Sequence, residues 1–354
     1  MNEQGKKKIE LSVLDLSPAP SGSTASDALR NTLDLAVLAD ELGYKRYWLA
    51  EHHNTDLLAC PAPEIMIGHA AAVTKNIRVG SGGVMLPNHS PLKVAENFNV
   101  LQALYPGRID LGIGRAPGTD RITALALRRA REAVNADDFP QQMEELLGFF
   151  NGEFPPENPF RRVRAIPRGV EMPEIWLLGS SDFSARMAAR MGLSFAFAHH
   201  ISPEPALMAL TGYREDFKPS RYLDKPNAMI AVSVICAETD EEAERLAKSA
   251  DLVWLRFSKG QHSLPFPSVR EAEEYPYTDL DLAVIYQNRQ RLLVGSPAQI
   301  KKNLELFSEK TGANEIMVMT MIHDHALRRR SYELLAREFS TSNNNLKGEA
   351  YYAK

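Results

Sequence analysis

A single parallel (β/α)8 TIM-type barrel with insertions is the fold this sequence predicts, and three observations carry the prediction. Strand-like and helix-like segments alternate from the start of the chain, eight strands can be counted, and nearly all of them are followed by a helical pattern. An open doubly wound sheet would instead need a dinucleotide fingerprint after its first strand, and none is there; the run Gly112-Ile113-Gly114 is followed by Arg115 and has Pro117 where the fingerprint needs Gly. The 354 residues fit one such domain over 1–354, since barrels run past about 250 residues when they carry insertions.

The elements follow in order. Ile9–Leu16 is apolar and β-prone, and Thr24-x-x-Asp27 forms a capping box for a helix with Leu29, Leu33, Ala36 and Val37 on one face, ended by Gly43. Arg46–Ala50 is the second strand, and Pro63–Thr74 is a helix entered through proline, whose missing amide costs nothing there. Ile77–Met85 is the third strand; Val94, Phe98 and Leu101 mark the next helix, and after the Tyr105-Pro106-Gly107 break Ile109–Ile113 is the fourth strand. Residues 116–173 read as an insertion with helical patterns at Thr123–Val134 and Gln141–Phe150 and a proline-rich loop from Pro155 to Pro173. Ile175–Leu178, Ser194–Ala198, Ala228–Cys236 and Glu315–Thr320 supply strands five to eight, with helices at Phe183–Met191, Pro203–Phe217 and Asp240–Phe257. Ser258–Leu280 has no sustained period and reads as a mobile loop near the barrel mouth, a candidate lid.

Composition narrows the function. Apolar residues at 44% and charged residues at 24% are ordinary globular values, and a net charge of −4 lacks the basic excess that nucleic-acid binding needs. No run of about 18 uncharged apolar residues occurs, so no membrane span is expected, and Glu10 and Asp15 interrupt the apolar run that a signal peptide would need after Lys6–Lys8. Two distant cysteines, Cys60 and Cys236, suit a reducing compartment, and the expectation is a cytoplasmic protein.

In a parallel barrel the reactive groups lie beyond the C-terminal ends of the strands. Those positions hold Glu51-His52-His53 after strand two, His199-His200 after strand six and His323-Asp324-His325 after strand eight. Histidine alone titrates near neutrality unperturbed, so each is a candidate proton carrier or ligand, although a lone strand-end histidine is more often a hydrogen-bonded structural residue. His52 stands out because it directly follows the apolar strand Tyr47–Ala50, beside an acid that can orient it; Glu51 itself reads mainly as a brace for the turn. Gly80-Ser81-Gly82-Gly83 permits a bulge or the close approach of a flat ligand. Arg115, after strand four, with Gly179-Ser180-Ser181 at the following helix start, forms a candidate anion site, although a Gly-Ser-Ser run is also a routine helix cap.

The runs Trp48-x-x-Glu51-His52-His53, Gly80 to Pro87 with His89, Pro91 and Glu96, Pro106 to Arg115, Gly179-Ser180-Ser181 and Val294-Gly295-Ser296-Pro297 together resemble the bacterial luciferase-like flavin-dependent monooxygenases, over almost the full chain. The resemblance implies a homodimer that takes reduced FMN from a separate flavin reductase, forms a peroxyflavin with O2 and oxidises a small-molecule substrate. It implies His52 as the catalytic base or hydrogen-bonding partner, Gly82 and Gly83 as a cis-peptide floor under the flavin ring, Gly114 near the ring, Arg115 with Gly179, Ser180 and Ser181 at the phosphate, and His199 as an aromatic packed beside the ring. Gly114 stands where the light-emitting subunit has a cysteine, which speaks against bioluminescence, and some members use a deazaflavin.

Two alternatives stand beside this one. In a metal-dependent barrel hydrolase, His52, His53, His323 and His325 would ligate a divalent ion, but such enzymes carry His-x-His on strand one, where this chain has Asp15-Leu16-Ser17-Pro18. A non-catalytic flavin-binding protein would keep the glycine and serine sites and not need His52.

Overall fold

Parallel strands covered on both faces are apolar along their whole length, and Arg46–Leu49 and Ile109–Gly114 are buried at every residue. The computed structural model describes residues 9–128 and 138–348. Eight strands close the barrel: β1 Glu10–Asp15, β2 Arg46–Leu49, β3 Arg78–Met85, β4 Ile109–Gly114, β5 Glu174–Gly179, β6 Ser194–Ala198, β7 Ala228–Cys236 and β9 Glu315–Met319. Each pairs in parallel with the next, and β9 closes between β7 and β1.

The expected helices are present at Ala25–Glu41, Pro63–Val73, Pro91–Leu104, Phe139–Asn151, Asp182–Met191, Ala206–Glu215 and Asp240–Ser258. The Thr24/Asp27 capping box forms, and Gly43, at φ 77°, and Gly192, at φ 62°, stop their helices in a conformation that glycine adopts without strain. The pattern over Thr123–Val134 is helical as far as Arg128, and its remainder lies outside the described residues.

Two expectations fail. A short strand, β8 (Leu292–Gly295), and the helix Pro297–Thr311 precede the last barrel strand; β8 pairs with the outer half of β7, from Ser233 to Cys236, beyond the part of β7 that closes the barrel. Four residues are too few to show a period. The segment 258–280 is not an open loop either: it holds the helix Val269–Glu273 and the start of Asp279–Asn288, each opened by a capping box, Ser268/Glu271 and Thr278/Asp281. The boxes were visible in the sequence, but a five-residue helix carries no amphipathic repeat to accompany them.

The end of the barrel at which the strands begin is closed by charge. Arg46 reaches Asp110 at 2.8 Å, Glu315 at 2.8 Å and Glu174 at 3.1 Å, and Arg78 also binds Asp110. Burial alone would depress the Arg46 pKa, but the three carboxylates hold it above its ordinary value. Trp48 Nε1 donates to Asp110 at 2.9 Å, and a Cβ on Gly80 would lie 2.5 Å from the Asp110 carbonyl, so only glycine lets these strands approach so closely. Above this layer Trp48 and Trp176 meet edge to face at 5.6 Å. Removing one partner from such a network leaves buried charge uncompensated. Arg46→Met should therefore cost about 3–5 kcal/mol in urea denaturation; a loss below about 1 kcal/mol would show that the layer is a solvated rim.

Candidate active site

Glu51 is fully buried just past the end of β2, and it organises the opposite end of the barrel. Its carboxylate accepts from the Met85 amide at 2.8 Å and Asn88 Nδ2 at 3.1 Å, and pairs with His53 Nε2 at 2.8 Å and His89 Nε2 at 2.9 Å. Its own amide donates to the Gly83 carbonyl at 3.3 Å. Burial would raise the Glu51 pKa, but the bonds from His89, His53 and Met85 outweigh it and hold the carboxyl below its usual range. Burial would likewise depress His89, and the Glu51 carboxylate lifts it above its ordinary value instead. Glu51 thus clamps a β-bulge in β3, where the register against β4 shifts between Gly82 and Val84.

The Gly82-Gly83 peptide within that bulge is cis. A Cβ on Gly82 would lie 2.7 Å from Leu14 Cδ1, and one on Gly83 would lie 2.5 Å from Leu178 Cδ1 and 2.8 Å from the Gly112 carbonyl. Neither position has room for a side chain, which leaves bare backbone there. Gly114, at the end of β4, lies beside Met85, whose sulfur would sit 2.7 Å from an added Cβ.

His52 donates its amide to Cys60, and its half-buried ring has an Nδ1 atom that is buried without a hydrogen-bond partner among the described residues. Burial, with smaller contributions from His200 and His53, pushes its pKa down to about 4 despite the nearby Glu51. His200 is also pushed down to about 4 by burial, and its Nδ1 lies 3.2 Å from the Ala231 carbonyl.

Arg115 is exposed and lies over the Phe183 ring, 4.1 Å from its centroid. That ring is on the helix that Ser181 opens, so the arginine lies over the first turn after Gly179-Ser180-Ser181. Ser181 is the N-cap residue, yet its side chain makes no capping bond, so its hydroxyl remains available to a ligand along with the free amides of the first helical turn.

His199 is placed elsewhere. Along β6, Phe195 and Phe197 pack into the outer core and Ala196 into the barrel interior; His199 joins the outer set, with its ring edge to face with Phe307 at 4.8 Å. His200 is the residue whose charge acts on His52. Both histidines lie in the turn just past Ala198, where the period of two along a strand no longer assigns a side.

The histidines of the hydrolase reading do not converge. His53 pairs with Glu51, His323 meets Ser21 Oγ at 3.2 Å and His325 meets Asp34 at 2.7 Å. Among the described residues no group of three or more His, Cys, Asp or Glu is placed to hold a metal ion.

A polar turn with a cation beside a floor of bare backbone, at the end of a parallel barrel where its strands finish, is the place at which barrel enzymes carry out their chemistry. More narrowly, the chain belongs to the luciferase-like monooxygenase family, whose model matches residues 9–315. It is 44% identical to a luciferase-like monooxygenase of Escherichia coli K12, over 93% of this chain and 96% of that one. It is 36% identical to the N-acetyl-S-alkylcysteine monooxygenase of Bacillus subtilis, over 93% of this chain and 97% of the relative. Among solved structures, apo-MsnO8 superposes with a TM-score of 0.86 at 42% identity, covering 94% of this chain and 98% of that one. At 23% identity and a TM-score of 0.68, the oxygenating constituent of the Pseudomonas putida 3,6-diketocamphane monooxygenase, solved with FMN, has the same fold, covering 94% of this chain and 97% of that one.

Burying two neutral histidines has a pH consequence. Both have folded pKa values near 4 against an ordinary 6.5, so between those limits the unfolded chain binds more protons and stability falls as pH falls. In urea titrations at stepped pH, His52→Asn should flatten the loss of stability between pH 6.5 and 4 by up to one proton. An unchanged slope would mean that His52 titrates as freely in the fold as in the unfolded chain.

Proposed function

We propose that this chain is a cytoplasmic homodimeric monooxygenase that uses reduced FMN, delivered by a separate flavin reductase, and O2 to oxidise a small organic substrate. The observation that carries the reading is the pairing of the side-chain-free bulge at Gly82-Gly83 with the Arg115, Ser180 and Ser181 turn. A flat ring bearing a phosphate tail matches both halves, and a metal-activated hydroxide matches neither. When bound, reduced flavin supplies the electrons that activate dioxygen.

The chain's own residues supply position and proton control. Arg115 and Ser181 would hold the phosphate, and Gly82 and Gly83 would bear the ring. His52, neutral at pH 7, would exchange a hydrogen bond or proton at its unpartnered Nδ1. The apolar barrel interior excludes water from whatever lies on the glycine floor. The relative that acts on N-acetyl-S-alkylcysteine makes a small thioether the first substrate class to try. The two free, buried cysteines accord with a cytoplasmic setting, and no helix among the described residues is long and apolar enough to cross a membrane.

The decisive experiment supplies reduced FMN anaerobically, admits 18O2 and follows N-acetyl-S-methylcysteine by mass spectrometry. One labelled oxygen should enter the product, and His52→Asn should lower the yield about 100-fold with FMN affinity within about twofold of wild type. FMN uptake with no labelled product from a broad panel of organic sulfides, ketones and amines would indicate a flavin-binding protein, and no FMN uptake would overturn the reading altogether.

The dimer is proposed on a separate observation. Ile65 and Val73, 62% and 48% exposed on Pro63–Val73, and Val100 and Leu104, 47% and 64% exposed on Pro91–Leu104, present apolar side chains on two neighbouring helices. Sedimentation velocity should give twice the chain mass for wild type and a monomer for Leu104→Glu; a monomeric wild type at micromolar concentration would end the proposal.

A further inference from the structure

The segment after the helix Asp240–Ser258 is the part of the mouth least explained by the site above, and it is fastened down over its length. Phe266 is fully buried and bridges in parallel to Pro20 in the loop after β1. Its amide donates to the Ala19 carbonyl at 2.9 Å, and its carbonyl accepts from the Ser21 amide at 2.8 Å. Thr55, in the loop after β2, donates to the His262 carbonyl at 2.9 Å. Ser21 Oγ donates to Glu271 on the helix Val269–Glu273, and His323, after β9, lies 3.1 Å from the Ser21 carbonyl and 3.2 Å from its hydroxyl. Two strand-end loops therefore hold one strap, and His323 beyond a third strand braces Ser21.

The strap places a single large side chain into the barrel's own apolar lining. Phe266 belongs to the contiguous cluster that contains Leu14, Leu57, Met319 and Met321, with Leu178 packed against it. Leu14 and Leu178 are the residues that lie against Gly82 and Gly83. Continuous apolar packing thus runs from the glycine floor to the underside of the strap, with unbranched methionines that can repack around a guest and one rigid ring that cannot.

We infer that Phe266 is a specificity-determining residue: it caps the apolar lining above the Gly82-Gly83 floor and limits the length of the alkyl group the mouth accepts. The inference rests on the monooxygenase reading only for the class of substrate. The strap's fastening by Ser21, Glu271 and His323 keeps the ring from swinging aside for a longer chain.

The test compares wild type with Phe266→Leu and Phe266→Ala, using N-acetyl-S-alkylcysteines from methyl to hexyl. Affinity is read without turnover from tryptophan fluorescence, since Trp48 and Trp176 lie in the same cluster as Phe266. Labelled product formation with reduced FMN is measured in parallel. Phe266→Ala should shift the hexyl-to-methyl affinity ratio toward hexyl by about tenfold or more, the worth of about two newly accommodated methylenes. Phe266→Leu should fall between and carries the test if the alanine variant does not fold. An identical ratio in folded variants, with product still formed, would overturn the inference and leave the monooxygenase reading intact. A shifted ratio with no labelled product would do the reverse, and no binding by any of the three proteins would sink both.

Discussion

One buried carboxylate holds the mouth of this barrel together. Glu51 stands where β2 ends, and its bonds run to the backbone of β3 at Met85, to His89 and Asn88 just beyond it, and to its near neighbour His53. A carboxylate taken out of water is tolerable only when donors surround it, and here they do. The Glu51 amide also donates to the Gly83 carbonyl, so one residue grips the bulge by both main chain and side chain. Asn88 extends the clamp to the loop after β4 by donating to the Pro117 carbonyl at 2.9 Å. The bare floor at Gly82-Gly83 is a consequence of this clamp and of strands that leave no space for a Cβ.

The two ends of the barrel divide the work of stability and chemistry. At the closed end, opposite charges on neighbouring strands neutralise one another within about 3 Å, so these charges are spent on structure. Asp15, at the other end of β1, is likewise spent on structure: Arg328 binds it at 2.5 Å and ties the last helix, His325–Gly348, to the barrel. At the mouth, by contrast, groups are left over. Among the described residues Arg115 stacks on Phe183 without a carboxylate partner, Ser181 opens a helix without capping it, and His52 keeps a buried nitrogen without a hydrogen bond. A buried polar atom without a partner is costly unless a ligand completes it, and His52 Nδ1 lies at the end of the barrel where ligands enter.

Most of the barrel was legible because its signals are local. β6 and β7 match the sequence reading residue for residue, since apolar runs bounded by Gly192, Pro226 and charged loops leave little choice of boundary. β8 was not, because its four residues gain their meaning only from a long-range pairing with β7. The glycine floor, Arg115 and the serine turn could be named because motif and position agreed. Glu51 could be seen but its role could not: its partners His89 and Met85 are 38 and 34 residues away, and only the fold brings them together. The side taken by His199 was not legible, because it lies in the turn just past Ala198, where strand alternation stops.

Glu51 and His52 are consecutive, yet their environments drive them to opposite states. The donors around Glu51 make it a stable anion whose charge is largely taken up by His89 and His53. At His52 burial dominates, and the imidazole stays neutral to about pH 4. A neutral imidazole can accept a proton at pH 7, which an imidazolium cannot. Glu51 still pulls the His52 pKa upward, so it is the burial of the imidazole, not the loss of its acidic neighbour, that keeps the base neutral beside the brace.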